Sequence, residues 1–214
     1  MEGQVSVDLL KKWLKAWSLS RKLPLPVLYK SGFKVEVGDE KQKERYVFAE
    51  LNDDFFQLAE SIDEPWIYLK VCTSPDHFIE DIPEKWKLQP QGYMMSCSHP
   101  MNIDDVILPS GYNVKYEQYD STSIIRIVAE NGEEASAGRV VLVDDLAVYD
   151  RIITHESHRR KGLASFLMKE LEKIALSKDI SNNFLVATEQ GKLLYETLGW
   201  ELYSVYTSIV IPST

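Results

Sequence analysis

Apolar positions recur along this chain at helical or strand spacing in a way that marks most of its elements. From Asp8 to Ser20, Leu9, Leu10, Trp13, Leu14, Trp17 and Leu19 fall at helical steps with Lys11, Lys12 and Lys15 between them. This predicts a helix with an aromatic-rich apolar face, with Asp8 as its N-cap. Pro24 and Pro26 end it. Phe33 to Val37 and Tyr46 to Ala49 alternate like two hairpin strands joined by a charged turn, Gly38 to Arg45. A helix over Asp53 to Ser61, a strand over Trp66 to Val71, a short helix over Pro75 to Asp81 and a strand over Trp86 to Met95 follow, with Pro90 marking an edge or bulge.

Ser96 to Ser110, with Pro100 and Pro109, reads as a linker. Beyond it the pattern predicts strands at Tyr112 to Tyr119, Ser123 to Glu130, Ala137 to Val143 and Leu146 to Thr154, with Asn131-Gly132 as a hairpin turn. The last stretch of that series, Arg151 to Thr154, is expected to be buried. A basic loop, His155 to Lys161, then leads to a helix opened by Gly162, whose Leu163, Phe166, Leu167, Leu171 and Ile174 form one apolar face. Asn183 to Ala187 reads as a strand, Gly191 to Leu198 as a short helix closed by Gly199, and Trp200 to Tyr203 and Tyr206 to Ile211 as final strands. The expected class is α/β with a mixed α+β sheet. Its expected division is an N-terminal α+β domain, residues 1–98, and a second domain, residues 108–214.

Composition narrows the function. The 214 residues, 44% apolar and 27% charged, suffice for one ample core or two small ones. A net charge of −9 argues against nucleic acid as partner and favours packing of the first helix into a core over a membrane surface. Cys72 and Cys97 lie far apart without metal spacing, and free thiols fit a reducing cytoplasm. His155 and His158 lack a third ligand, so no metal is expected; either could lie near phosphates or face solvent. The N-terminal residues, with an early Glu2, show no leader pattern and no apolar run that would span a membrane.

The stretch from Arg151 to Glu172 carries the chemistry. A helix N-terminus offers unpaired N–H groups and about half a positive charge from the peptide dipoles, which suits a phosphate. Arg159, Arg160 and Lys161 add cations there, and Gly162 and Ala164 keep the backbone accessible, so a diphosphate is the expected guest. Neither a P-loop nor a Gly-x-Gly-x-x-Gly spacing is present.

Arg159-Arg160-Lys161-Gly162-Leu163-Ala164 resembles the Arg/Gln-x-x-Gly-x-Gly/Ala signature of the GNAT N-acetyltransferase superfamily. Downstream, Tyr195-Glu196-Thr197-Leu198-Gly199-Trp200 resembles that family's Tyr-Glu-x-x-Gly-aromatic motif. The resemblance implies a GNAT fold over residues 108–214 with acetyl-CoA as cosubstrate. Ile152, Ile153, Thr154, Arg159, Arg160, Lys161, Gly162, Leu163, Ala164 and Ser165 would bind the cosubstrate, and Thr188 would stand where the family often has an Asn. A primary amine would attack the thioester directly, with an amide near Ile153 or Thr154 on the acetyl oxygen and Tyr195 as general acid. Asp150, the acidic residue within that strand, is the candidate base, with deprotonation through water as the alternative.

One departure stands out. The family places two helices between its first two strands, whereas only Asp120 to Thr122 is available here. Residues 1–98 are therefore expected to supply the acceptor wall; they could also be a degenerate copy of the fold, without a second phosphate loop. The alternative from another class is a catalytically silent acyl-CoA-binding sensor. The acceptor amine and the oligomeric state are not legible in the sequence.

Overall fold

In chain order the elements are α1 (Val7–Arg21), β1 (Val27–Tyr29), β2 (Gly32–Asp39), β3 (Gln42–Phe48), α2 (Asp53–Ser61), β4 (Ile67–Val71), β5 (Lys87–Leu88), β6 (Gly92–Cys97), β7 (Tyr112–Tyr119), β8 (Thr122–Ala129), β9 (Glu134–Val143), β10 (Leu146–Thr154), α3 (Leu163–Leu176), β11 (Asn182–Ala187), α4 (Glu189–Thr197) and β12 (Glu201–Val210). This is a computed structural model, and it describes residues 5–102 and 106–213. Residues 1–4 of the leader reading and residues 103–105 of the expected linker lie outside the described residues. Two units emerge: one of Met1–Met95, Val186–Lys192 and Leu202–Thr214, the other of Ser96–Leu185 and Leu193–Glu201.

The first unit begins with a cap that differs from expectation. Ser6, not Asp8, caps α1, accepting the Leu9 N–H at 3.3 Å, while Asp8 sits in the first turn and pairs with Lys12 at 2.8 Å. The serine stands at the extended residue before the helix, where a hydroxyl reaches a first-turn amide. Leu10, Trp13, Leu14 and Trp17 are buried. Trp13 meets the Tyr206 ring edge-on at 5.3 Å, and the Arg45 guanidinium lies 3.5 Å from the Trp17 ring. The aromatic stripe is therefore core.

Strands in this unit follow the order β1-β2-β3-β4-β12-β6, with β5 also pairing β12. The charged turn expected between β2 and β3 shrinks to Glu40 and Lys41, because the charges pair across strands, as in Lys34 Nζ to Glu44 at 2.7 Å. β4 returns parallel to β3 in register from Glu44↔Ile67 to Phe48↔Val71. On one face of these strands Phe55, Leu58 and Ala59 of α2 pack with Phe48, Leu69, Val71 and Ile209. Three expectations change here. The helix at Pro75 is a single 3-10 turn to His77, the strand at Trp86 splits around Pro90 into β5 and β6, and the two final strands are one continuous β12. β1 is an edge strand whose Val27 and Leu28 are exposed, so its residues carry no burial alternation to read.

The second unit runs β11-β10-β9-β8-β7. The β7–β8 hairpin closes through Asp120, at φ 45, and Ser121, which leaves no room for helices between these strands. α3 covers β8, β9 and β10 and buries Leu163, Leu167, Met168 and Leu171; Phe166 and Ile174 are half-buried. Gly138 on β9 permits this approach, since a Cβ there would come 2.5 Å from Ile152 and 3.0 Å from Leu167. Among the described residues no helix is long and apolar enough to cross a membrane.

Candidate functional site

The site grows from a defect in β10. Asp150 pairs with Arg139 on β9 and Ile153 with Ala137, so Arg151 and Ile152 together face the single residue Gly138. Arg151 takes φ 52, uncommon for a side-chain-bearing residue, and the result is a β-bulge. The bulge resets alternation. Arg139 and Ala137 share a face of β9, so Asp150 stands with Val148 and Ile153, while Ile152 turns toward Leu167 of α3. Simple alternation along an unbulged strand would group Asp150 with Ile152 and Thr154. Nor is Arg151 to Thr154 a buried stretch: exposed and half-buried residues alternate, and Ile153 is 55% exposed.

The bulge coincides with a parting of strands. β10 and β11 pair in parallel only from Leu146↔Asn182 to Val148↔Phe184, yet β10 continues to Thr154. Beyond Val148 the β10 backbone is therefore released from that ladder. Ser136 fixes the far end, its Oγ lying 2.8 Å from the Ile153 carbonyl and 2.9 Å from Thr154 Oγ1.

Past Thr154 the chain makes a 3-10 turn at Glu156–His158 and enters α3 through residues 159–162. Gly162 is the cap residue at φ 76, and Arg160 stands at φ 62. Left-handed residues alternating in this way turn successive N–H groups toward a common centre, a concavity suited to anions. No side chain caps α3 and no acidic residue lies in its first turn. The leading amides of Leu163, Ala164 and Ser165 thus sit at the positive end of a 14-residue helix. A Cβ built on Gly162 meets no atom within 4 Å, so the space above it is open.

The basic side chains divide. Arg159 Nε donates to the Thr154 carbonyl at 3.2 Å and braces the loop, and Arg160 is exposed. Lys161 Nζ donates to the Tyr112 hydroxyl at 3.2 Å, and that hydroxyl lies 2.8 Å from His158 Nδ1. His158 is buried, its Nε2 3.4 Å from Glu133 Oε2. Tyr112 is the participant that sequence reasoning missed, while His158, expected near phosphates or facing solvent, is buried against Tyr112. Strand alternation does not distinguish a tyrosine that reaches a loop from one that packs on a sheet.

Tyr195, on α4, is 7% exposed, its ring 5.9 Å from Trp200, which in turn meets Tyr149 edge-on at 5.3 Å. The Tyr149 hydroxyl donates to Asn183 Oδ1 at 3.0 Å. Gly199, at φ 89, ends this helical segment and lets Trp200 N–H return to the Tyr195 carbonyl at 3.0 Å. Burial, and secondarily the Asp150 carboxylate, push the Tyr195 phenol well above its usual range. The Asp150 carboxylate therefore acts on the Tyr195 phenol within one unit. Thr188 belongs to the other unit, where its Oγ1 accepts the Gly191 N–H at 3.1 Å at the head of α4 and keeps its own proton to donate. Both cysteines are free and buried; burial pushes the Cys72 thiol up to about 12 and raises Cys97 as well, so neither is a ready nucleophile.

Comparison with known proteins agrees with this geometry. Residues 122–202 match the family model described as an acetyltransferase (GNAT) domain. A GCN5-related N-acetyltransferase from Kribbella flavida aligns over 98% of this chain and 96% of its own, with a TM-score of 0.68 and 11% identity. A GCN5-related N-acetyltransferase-like protein from Streptococcus suis aligns over 95% and 97%, with a TM-score of 0.61 and 15% identity. A tandem GNAT protein from the clavulanic acid biosynthesis pathway aligns over 69% of this chain and 65% of its own, with a TM-score of 0.54 and 14% identity. A search of curated protein sequences gave no match. At these identities the structural likenesses speak for the fold, which is that of GNAT acyltransferases. Residues 122–202, from β8 through α4, are accordingly similar to a GNAT acetyltransferase domain.

Proposed function

We propose that the second unit binds acetyl-CoA and transfers its acetyl group to a primary amine by direct attack. One observation carries the reading: the uncapped N-terminus of α3, headed by Gly162 and its left-handed neighbour Arg160, opens next to the bulged end of β10. The amides of 163–165 would hold the diphosphate, with Arg160 and Lys161 adding charge. Backbone N–H groups along 152–154 would align the pantetheine arm and polarise the thioester carbonyl, a contribution of about a hundredfold or more per donor.

The amine nitrogen forms its bond to the acetyl carbon as the carbon–sulfur bond breaks and the electron pair leaves on sulfur. Tyr195 would meet that thiolate. Its raised pKa keeps the phenol protonated throughout the neutral range, but it also makes a complete transfer to a cysteine-like thiol, pKa about 8.5, uphill. Tyr195 therefore acts first as a hydrogen-bond donor to the developing negative charge. Asp150 takes the amine proton, directly or through water, and its charge opposes ionisation of the phenol beside it.

The test is release of free thiol from acetyl-CoA with a panel of amines. Release that depends on an amine supports the transferase. Coenzyme A binding with no release across small amines, amino acids and polypeptide amines would instead support the silent binding module, and absence of binding would remove both.

A further inference from the structure

The diphosphate reading gives Lys161 a task, and the structure holds that side chain through residues outside the loop signature. We propose that Tyr112, braced by His158 and Glu133, is a positioning residue that pre-sets the Lys161 ammonium for the coenzyme A diphosphate. The proposal rests on the function proposed above.

Donor and acceptor capacities fix the order of the chain. A lysine ammonium can only donate, so at 3.2 Å the Tyr112 oxygen accepts from it. The phenol has one proton of its own, and the acceptor facing it is His158 Nδ1 at 2.8 Å. The ring proton then sits on Nε2, which lies 3.4 Å from Glu133 Oε2, longer than a good hydrogen bond, so the N–H dipole meets the carboxylate only weakly. His158 lowers the Glu133 carboxyl, and the Asn131 side chain, which accepts the Glu133 N–H at 3.0 Å, lowers it further. Four elements thus converge: the first residue of β7, the 3-10 turn before α3, the residue before the α3 cap, and the β8–β9 turn.

Each link strengthens the next. A phenol that donates to an imidazole becomes a better acceptor for the ammonium. An exposed lysine ordinarily loses rotamer freedom when it engages a ligand; one already held loses less, and with one proton on Tyr112 two remain to donate. The residues concerned are no part of the proton or acetyl transfer, so their effect falls on cosubstrate affinity and not on turnover.

The experiment is calorimetric titration of the full chain with coenzyme A and with pantetheine, which lacks the diphosphate. Tyr112→Phe and His158→Leu should each weaken coenzyme A about three- to tenfold while pantetheine is unaffected. His158→Asn, whose Oδ1 stands at the Nδ1 position, should restore most of the loss. Tyr112→Phe added to Lys161→Met should weaken binding no further than Lys161→Met alone. Steady-state kinetics should show a raised KM for acetyl-CoA at constant kcat. Unchanged coenzyme A affinity, equal losses for both ligands, or additive effects with Lys161→Met would each overturn the proposal. A wild-type chain that ignores coenzyme A would remove the proposed function as well, whereas binding with unshifted variants removes only the positioning role.

Discussion

Two modules of this chain share one backbone plan: an antiparallel hairpin, a helix, and a strand returning parallel to the hairpin. In the first unit these are β2, β3, α2 and β4; in the second, β9, β10, α3 and β11. What differs is how each helix begins and how the parallel strands run. The α2 terminus is closed from within, with Asn52 Oδ1 accepting the Phe55 N–H at 3.2 Å and Asp53 and Asp54 in the first turn. Ser31 donates to Asp54 from both hydroxyl and amide and holds that carboxyl below its usual range. The α3 terminus has a glycine cap, no first-turn acid and three cations before it. Likewise β3 and β4 stay in register from residue 44 to 48, whereas β10 leaves β11 after Val148 and bulges. On the function proposed above, the same architecture becomes an anion seat only where the sequence leaves the helix dipole unanswered and the ladder unfinished.

The strongest way to break this contrast is Gly162→Asp, which gives α3 the acidic start of α2 at a backbone φ of 76. Coenzyme A affinity should fall about a hundredfold or more by calorimetry, with the far-UV spectrum and melting midpoint kept close to wild type. Unchanged affinity would mean that the helix start is not the seat. Next in size, Tyr195→Phe should slow amine-dependent thiol release about ten- to a hundredfold with coenzyme A affinity retained, and Asp150→Asn about tenfold. An unaltered turnover and pH–rate profile for Asp150→Asn would dismiss Asp150 as base.

Both modules should respond together to alkali. Burial raises the phenols of Tyr149 and Tyr195 in the second unit and Tyr206 in the first. The unfolded chain releases these protons near pH 10 while the native chain retains them, so above that point the native state binds more protons and stability falls as pH rises. Denaturant melts should be flat from neutrality to about pH 10 and then decline. The smallest effect sharpens the contrast from the other side. Asn52→Ala should cost about 1 kcal/mol of stability by removing the α2 cap and leave coenzyme A affinity untouched.

Periodicity was enough for α2, β7 and β10, whose bounds follow directly from apolar spacing, and the basic loop leading into the glycine-capped α3 was legible because it is local in sequence. The bulge was not, since Arg151 carries no mark of the left-handed conformation that its register demands. The charged residues of β2 and β3 resembled a loop because cross-strand pairing, such as Lys34 with Glu44, is a tertiary event. Tyr112 was invisible as a site residue for the same reason: its partners lie 46 and 49 positions away. Sequence carries the parts that neighbouring residues decide, and folding adds those that need distant strands.

The central claim is that one helix terminus in this chain, and not its topological counterpart, seats the cosubstrate. Titrating the full wild-type chain with coenzyme A in a calorimeter tests it most directly. The account predicts a single site per chain; no heat of binding, or two equivalent sites, would contradict it.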